Sequence, residues 1–318
     1  MSGIEIKACA NCDHAQVAWR TKEVIKGCLG FALIRRPKGG AQEILETFVG
    51  PQTEEKVPAG THHPSTEWPI QKFTWADYRA PSGKQVQYMV VPMIGTGFDD
   101  MKQDTANASG WSNLVSLSPP PDVPVQGYFN RGVVSTQFVA RSLAAQKGKS
   151  LKQLVNPAKG TTPLRDFLGG VLKQEFLKLL AERKKAGCHI YASLFELNDP
   201  EVLPAIEAFG KKAHVILANG AHSAPKEKPS TSKKKPAPKK AAAGAKNAKN
   251  ALPDENAVAR KALREADVDV HDRMVGSQHF SHHKFIVFSD PKDPKKAASV
   301  WTGSTNLTYG GVCTQANN

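Results

Sequence analysis

The sequence predicts two folded domains of different class. A small all-β sandwich is expected over residues 1–110, and an α/β domain with a mixed sheet flanked by helices over residues 128–318. Three observations predict this. The 318 residues exceed what one hydrophobic core ordinarily serves. The apolar residues alternate with period two in the first third and switch to a strand–helix alternation later. Between the two patterns stands the proline cluster Ser116-Leu-Ser-Pro-Pro-Pro-Asp-Val-Pro124, which predicts an extended linker over 111–127.

In the first domain Val86, Tyr88 and Val90 alternate with Gln85, Gln87 and Met89, the period of a half-buried strand. Gly27 to Ile34 is a second apolar run, in which Cys28 reads as a small buried residue. Trp19, Phe31, Trp75 and Tyr88 are the large side chains of the expected core. Turns are expected at Pro81-Ser82-Gly83 and Lys38-Gly39-Gly40. In strand pattern and length this domain resembles the fibronectin type III class.

In the second domain Leu164, Phe167, Leu168, Val171, Leu172, Phe176, Leu179 and Leu180 form one helical stripe that stops at Gly187. His189 to Leu197 reads as a strand, Pro200 to Lys212 as a helix and His214 to Ala218 as a strand. Glu255 to Ala266 is a charged helix, followed by strands at Val268–Val270, Phe285–Phe288 and Ala298–Thr302. Such alternation predicts a largely parallel or mixed sheet.

Composition narrows the function classes. With 40% hydrophobic and 23% charged residues the chain is globular, and no apolar stretch approaches the roughly 18 residues of a membrane span. The N-terminus lacks a basic region followed by an apolar core, so no secretory signal is visible. Five cysteines are too sparse for a disulfide scaffold, and a cytoplasmic location is expected. Cys9-x-x-Cys12 with His14 offers half of a zinc site, but Cys28, Cys188 and Cys313 stand alone. The formal charge of +14 is uneven: residues 221–250 hold nine lysines and one glutamate, hence +8 of it. The Lys/Ala/Pro-rich stretch 221–252 has almost nothing to bury and is expected to be a disordered insertion. It reads either as a solvated spacer or as an arm drawn to phosphate-rich polymers or anionic surfaces.

The chemistry is concentrated in residues 279–308, HFSHHKFIVFSDPKDPKKAASVWTGSTNLT. His282 and Lys284 are two apart at the start of an apolar run, which puts them on one face of a strand. His-x-Lys alone carries little, because about one such triplet is expected by chance at this composition. Its company raises it: a buried strand, Phe285 to Phe288, and then Gly303-Ser304-Thr305-Asn306 at the end of the next strand. Together these residues resemble the signature of the phospholipase D superfamily, His-x-Lys, then Asp, then Gly-Ser-x-Asn. The resemblance is specific over 279–308 and covers roughly 128–318 in element order. The family pattern has four residues between Lys and Asp; here Ser289 stands at that position and Asp290 follows it.

The resemblance implies a phosphodiesterase that needs neither metal nor cofactor and works through a phosphohistidine. Its substrate would be nucleic acid or phospholipid. His282 would be the nucleophile or the acid, since a neutral imidazole attacks phosphorus and a protonated one protonates the leaving oxygen. Lys284 would place a positive charge on the phosphoryl oxygens, and Ser304 and Asn306 would donate hydrogen bonds to them or orient the histidine. Asp290 is the candidate acidic or orienting residue, and Arg131 in Asn130-Arg131-Gly132 the candidate phosphate ligand. His279 reads as a polar bend, and His283 should face away from His282. Because two histidines in opposite protonation states are needed and one His-x-Lys occurs, half an active site is expected. The second motif would come from a downstream segment or a homodimer partner, the chain ending at Thr-Gln-Ala-Asn-Asn just after the motif. The competing reading is a non-catalytic nucleic-acid- or membrane-binding scaffold that keeps the fold, which the Ser289 departure favours.

Overall fold

The structure is a computed structural model that describes residues 3–50, 57–58, 61–118, 123–132, 136–146, 148–220, 254–276 and 279–318. The chain divides into two compact units, Met1–Phe129 with Val134–Ser150, and Asn130–Val133 with Leu151–Asn318.

The first unit opens with β1 (Ile4–Ala10), β2 (Ala15–Thr21) and β3 (Cys28–Pro37). Four short strands, β4 (Glu43–Ile44), β5 (Glu46–Thr47), β6 (His63–Pro64) and β7 (Thr74–Asp77), precede the second long strand, β8 (Gln85–Ile94). The unit's strands close with β9 (Lys102–Gln103) and β10 (Val115–Ser116). One antiparallel sheet has the order β1-β2-β7 and another β10-β8-β3-β4, with β9 also on β8. Ile4, Ala8, Val17 and Trp19 from the first sheet share one core with Phe31, Leu33, Val86, Tyr88 and Val90 from the second. The architecture is therefore sandwich-like. The continuous apolar run of β3 has a reason: its other face is also covered, Ala32 and Ile34 with Val91 and Met93 of β8 packing against Met101, Ala108 and Trp111. Gly30 is required where β3 bulges, since its φ is +150° and a Cβ there would lie 2.8 Å from the Pro69 side chain.

Between the sheets Arg35, 5% exposed, donates to Asp77 at 2.7 Å and to Glu43 at 2.7 Å, and the Tyr88 hydroxyl donates to Asp77 at 2.9 Å. Burial, with Asp77 beside it, pushes the Tyr88 hydroxyl well above its ordinary pKa. The expected boundary at residue 110 falls inside this unit. Val115 lies in β10 and Leu117 is buried in the core, so the first part of the expected linker completes the sandwich. A helix, α1 (Gln137–Ala145), also belongs here, with Arg141 over the ring of Phe48.

The second unit contains α2 (Leu151–Val155), α3 (Pro163–Lys185), β11 (Ile190–Leu194), α4 (Val202–Glu207) and β12 (Ala213–Ala218). Then come α5 (Ala257–Glu265), β13 (Asp269–Arg273), β14 (Lys284–Ser289), β15 (Ala297–Thr302) and α6 (Tyr309–Cys313). Helix α3 starts where Thr162 accepts from the Arg165 N–H, with Pro163 in its first turn, and kinks at Gly170, whose φ is +53°. The sheet order is β13-β12-β11-β14-β15. The first three strands are parallel, and β14 and β15 run antiparallel to their neighbours, so the sheet is mixed. Ile190, Ala192, Leu194, Val215, Leu217, Ile286 and Phe288 face Phe176 and Leu180 of α3, Ile206 of α4 and Leu263 of α5. Flanking on both faces is not what the described residues show. On the opposite face Tyr191, Ile216 and Val300 are 37%, 45% and 60% exposed.

No helix among the described residues is long and apolar enough to cross a membrane. The lysine-rich stretch 221–252 lies outside the described residues, as do Pro119 to Asp122 of the expected linker.

Candidate functional site

Because β14 runs antiparallel to β11, its first residue, Lys284, pairs with the last residue of β11, Leu194. The carboxyl ends of β11 and β12 and the start of the motif strand thus meet at one end of the sheet, where open α/β sheets commonly bind ligands. Asn256, 1% exposed, fastens this end. Its Nδ2 donates to the carbonyls of Phe195 and Ala218, both at 2.8 Å, and its Oδ1 accepts from the Leu197 N–H at 3.0 Å. A bridge between Leu197 and Leu307 then brings the Gly303–Asn306 turn alongside.

Lys284 shares the helix-covered face with Ile286 and Phe288, and it is 7% exposed. Its Nζ lies 5.4 Å from the Phe195 ring centroid and donates to the His282 carbonyl across a long 3.4 Å. Burial pushes the ammonium below its ordinary pKa, and the Glu196 carboxylate opposes that shift. His282 precedes the strand and sets its ring at 4.7 Å and 72° to the same Phe195. Burial, then Lys284, then His283 depress its pKa, which keeps the imidazole neutral at neutral pH.

Asn306 donates from Nδ2 to Glu196 Oε2 at 2.7 Å. Its Oδ1 is buried without a hydrogen-bond partner among the described residues. Phe195 and Glu196, adjacent in the chain, therefore join His282, Lys284 and Asn306 into one group. Ser304 is engaged differently from the expectation. Its Oγ donates to Asn318 Oδ1 at 2.7 Å, and its N–H to the Asn318 carbonyl at 3.1 Å. Thr305 adds its own hydroxyl to that carbonyl at 2.8 Å. In this structure Ser304 ties the turn to residues 317–318.

Asp290 is a correction. It stands beyond the opposite end of β14, six residues from Lys284 and so roughly 20 Å away along a strand. There its Oδ1 accepts from the Lys292 N–H at 2.8 Å and closes a turn. It cannot orient the His282 ring from that position. Ser289, at the position where the signature described above has an acidic residue, is 1% exposed and accepts the His189 N–H on Oγ at 2.8 Å. A backbone donor at this point calls for an oxygen acceptor, and a serine hydroxyl supplies one. Arg131, outside any helix or strand, packs against α3, its guanidinium 4.6 Å from the Phe167 ring and its N–H on the Leu168 carbonyl at 2.9 Å. His279 and His283 are exposed. Cys9 is exposed and His14 packs on Tyr78; the described residues contain no cluster of three or more His, Cys, Asp or Glu placed to hold a metal.

Glu196 and Phe195 were missed in the sequence. The available signal was their place at the carboxyl end of the strand expected over His189 to Leu197.

No protein-family model matches the sequence, and no curated protein matches it. Among solved structures, a fibronectin type III-like protein from Clostridium thermocellum is similar, at 11% identity and a TM-score of 0.21. The match covers 37% of this chain and 93% of that one.

Proposed function

We propose that the second unit is a phosphodiesterase of the phospholipase D superfamily, with His282 as nucleophile or acid and Lys284 as the charge on the phosphoryl oxygens. The observation that carries this reading is the convergence of His282, Lys284 and Asn306 on Phe195 and Glu196 at one sheet end. A neutral imidazole on that edge is competent to attack phosphorus; the P–O bond to the alcohol breaks as a second, protonated histidine, from a downstream segment or a homodimer partner, gives its proton to the leaving oxygen, and water then hydrolyses the phosphohistidine. The Lys284 ammonium, screened from solvent, stabilises the charge that develops on the phosphoryl oxygens without a metal. Asn306 retains one Nδ2 hydrogen for the same oxygens. Nucleic acid is the favoured substrate and phospholipid the alternative. The lysine-rich stretch leaves the described chain at Gly220 and rejoins it at Asp254, and a Cβ on Gly220 would lie 3.5 Å from the Glu196 side chain. The sequence of that stretch is strongly basic, which suits a polyanionic substrate.

The test is hydrolysis of bis(p-nitrophenyl) phosphate in excess EDTA, together with rapid acid quench of a labelled substrate. Turnover that vanishes in His282→Ala, with an acid-labile, base-stable phosphohistidine at His282, supports the reading. Full activity of His282→Ala ends it.

A second reading, a non-catalytic phosphate-binding scaffold, is favoured by one observation: the Ser304 hydroxyl is bonded to Asn317 and Asn318. Binding of an oligonucleotide without cleavage, unaltered in His282→Ala, is what this reading expects.

A further inference from the structure

We propose that Glu196 is the positioning residue of this site, holding the Asn306 amide in one orientation beside Lys284 and His282. The inference rests on the phosphodiesterase reading above. Three observations lead to it.

The first is the hydrogen bond. Glu196 Oε2 accepts from Asn306 Nδ2 at 2.7 Å, a charge-assisted contact that fixes which way the amide faces. With Nδ2 held, Oδ1 is the atom left buried and unfilled among the described residues. A buried acceptor without a donor is costly, and such atoms in native structures are commonly tied to function. A donor brought by substrate or by the imidazole would fill it.

The second is the anchoring of Glu196 itself. Phe195 before it is 4% exposed, and Leu197 after it is fully buried and bridged to Leu307, one residue past Asn306. The Asn198 and Asp199 N–H groups both donate to the Leu307 carbonyl at 3.0 Å. Glu196 and Asn306 are thus carried on two segments that cannot slide independently, and their contact is preorganised rather than a chance surface pair.

The third is the charge around Lys284. The titratable groups at this sheet end include His282 and His283 on the approach to β14, Glu196 after β11 and Glu255 by Gly220. With them stand Arg260 on the Leu217 and Ala218 carbonyls, its partners Asp254 and Asp272, and Arg273 at the end of β13. Glu196 is the group whose carboxylate raises the Lys284 pKa against burial. An ammonium needed on phosphoryl oxygens must remain protonated at working pH, and a neighbouring carboxylate achieves that. One side chain therefore serves both functional partners.

The experiment compares Glu196→Gln, Glu196→Ala and Glu196→Asp in the full chain. Glu196→Gln keeps an acceptor for Asn306 and removes the charge, so the alkaline limb of kcat/KM should move to lower pH. Glu196→Ala also frees the Asn306 amide, and kcat should fall on the order of 10²-fold with KM little changed. Glu196→Asp should recover part of both. A second readout does not depend on turnover. Lysine methyl labelling followed by carbon-13 titration should show Lys284 deprotonating at lower pH in Glu196→Gln than in the parent. Unchanged kcat in Glu196→Ala, in an enzyme that His282→Ala inactivates, overturns the inference. A shifted titration in a chain that hydrolyses nothing keeps the Glu196–Lys284 coupling and removes the phosphodiesterase reading instead.

Discussion

Arg165 and Lys284 are both buried cations of the second unit, built in opposite ways. Arg165 is fully buried and saturated: it grips Asp199 with two bonds of 2.6 Å, and adds Glu201 and the Val155 carbonyl at 2.5 and 2.7 Å. Lys173 joins the network through Glu201 and Asp166. Beside it burial pushes the Cys313 thiol up to about 12, so the sulfur stays protonated. Lys284 is 7% exposed, yet the hydrogen bond shown for its ammonium is a 3.4 Å contact to a carbonyl. A saturated buried ion holds a fold together and has nothing left to give a ligand. An under-satisfied one has donors ready for a phosphoryl group, and its burial strengthens the interaction.

The comparison breaks first at Arg165. Replacing it with Ala should lower stability by about 3–5 kcal/mol, because Asp199 is left buried and unpaired. Urea unfolding of the variant against the parent measures this, and a loss under ~1 kcal/mol would place Arg165 among the surface pairs.

Lys284→Met should behave in the reverse manner. Turnover should fall by a factor on the order of 10²–10³, the cost of losing one preorganised donor to the transition state. Unfolding free energy should hold or rise, since Met replaces a poorly compensated charge at similar volume. The same variant tests the imidazole. Lys284 is one cause of the depressed His282 pKa, so removing it should move the His282 titration up in proton NMR. The sign follows because a nearby positive charge disfavours imidazolium. In the parent, activity that needs neutral His282 should therefore rise through a pH below the ordinary histidine value.

The two ends of β14 sharpen the contrast at smaller scale. Ser289→Ala should cost about 1–3 kcal/mol of stability, because the His189 N–H loses its buried acceptor, with kcat unchanged. Ser289→Asp would then report whether an acid fits this place. Asp290→Asn should be nearly silent, within about 0.5 kcal/mol and without effect on turnover, because Asn closes the same turn. A large activity loss in Asp290→Asn would contradict the separation of the strand ends.

Much of this was legible in the residues. The alternation in 85–90, the helical stripe from Leu164 to Leu180 and the apolar run 285–288 each appear as the predicted element type. Hydrophobic period is a local property, and it survives any tertiary arrangement that buries one face. The boundary at 110 was not legible, because Val115 and Leu117 pair and pack with residues far earlier in the chain while the prolines beside them dominate the local pattern.

The sequence by itself determined the two classes of unit, the strand that begins at Lys284 just after His282, and the turn that carries Ser304 and Asn306. Only the tertiary structure decided which of these residues act together. Antiparallel pairing of β14 with β11 put Lys284 beside Leu194, and that register alone brought Phe195 and Glu196 into the group. It also sent Asp290 to the far end of the strand and gave Ser304 to Asn318. The physical reason is range: side-chain period and turn chemistry act over a few residues, whereas Glu196 and Asn306 are 110 apart and meet through strand pairing.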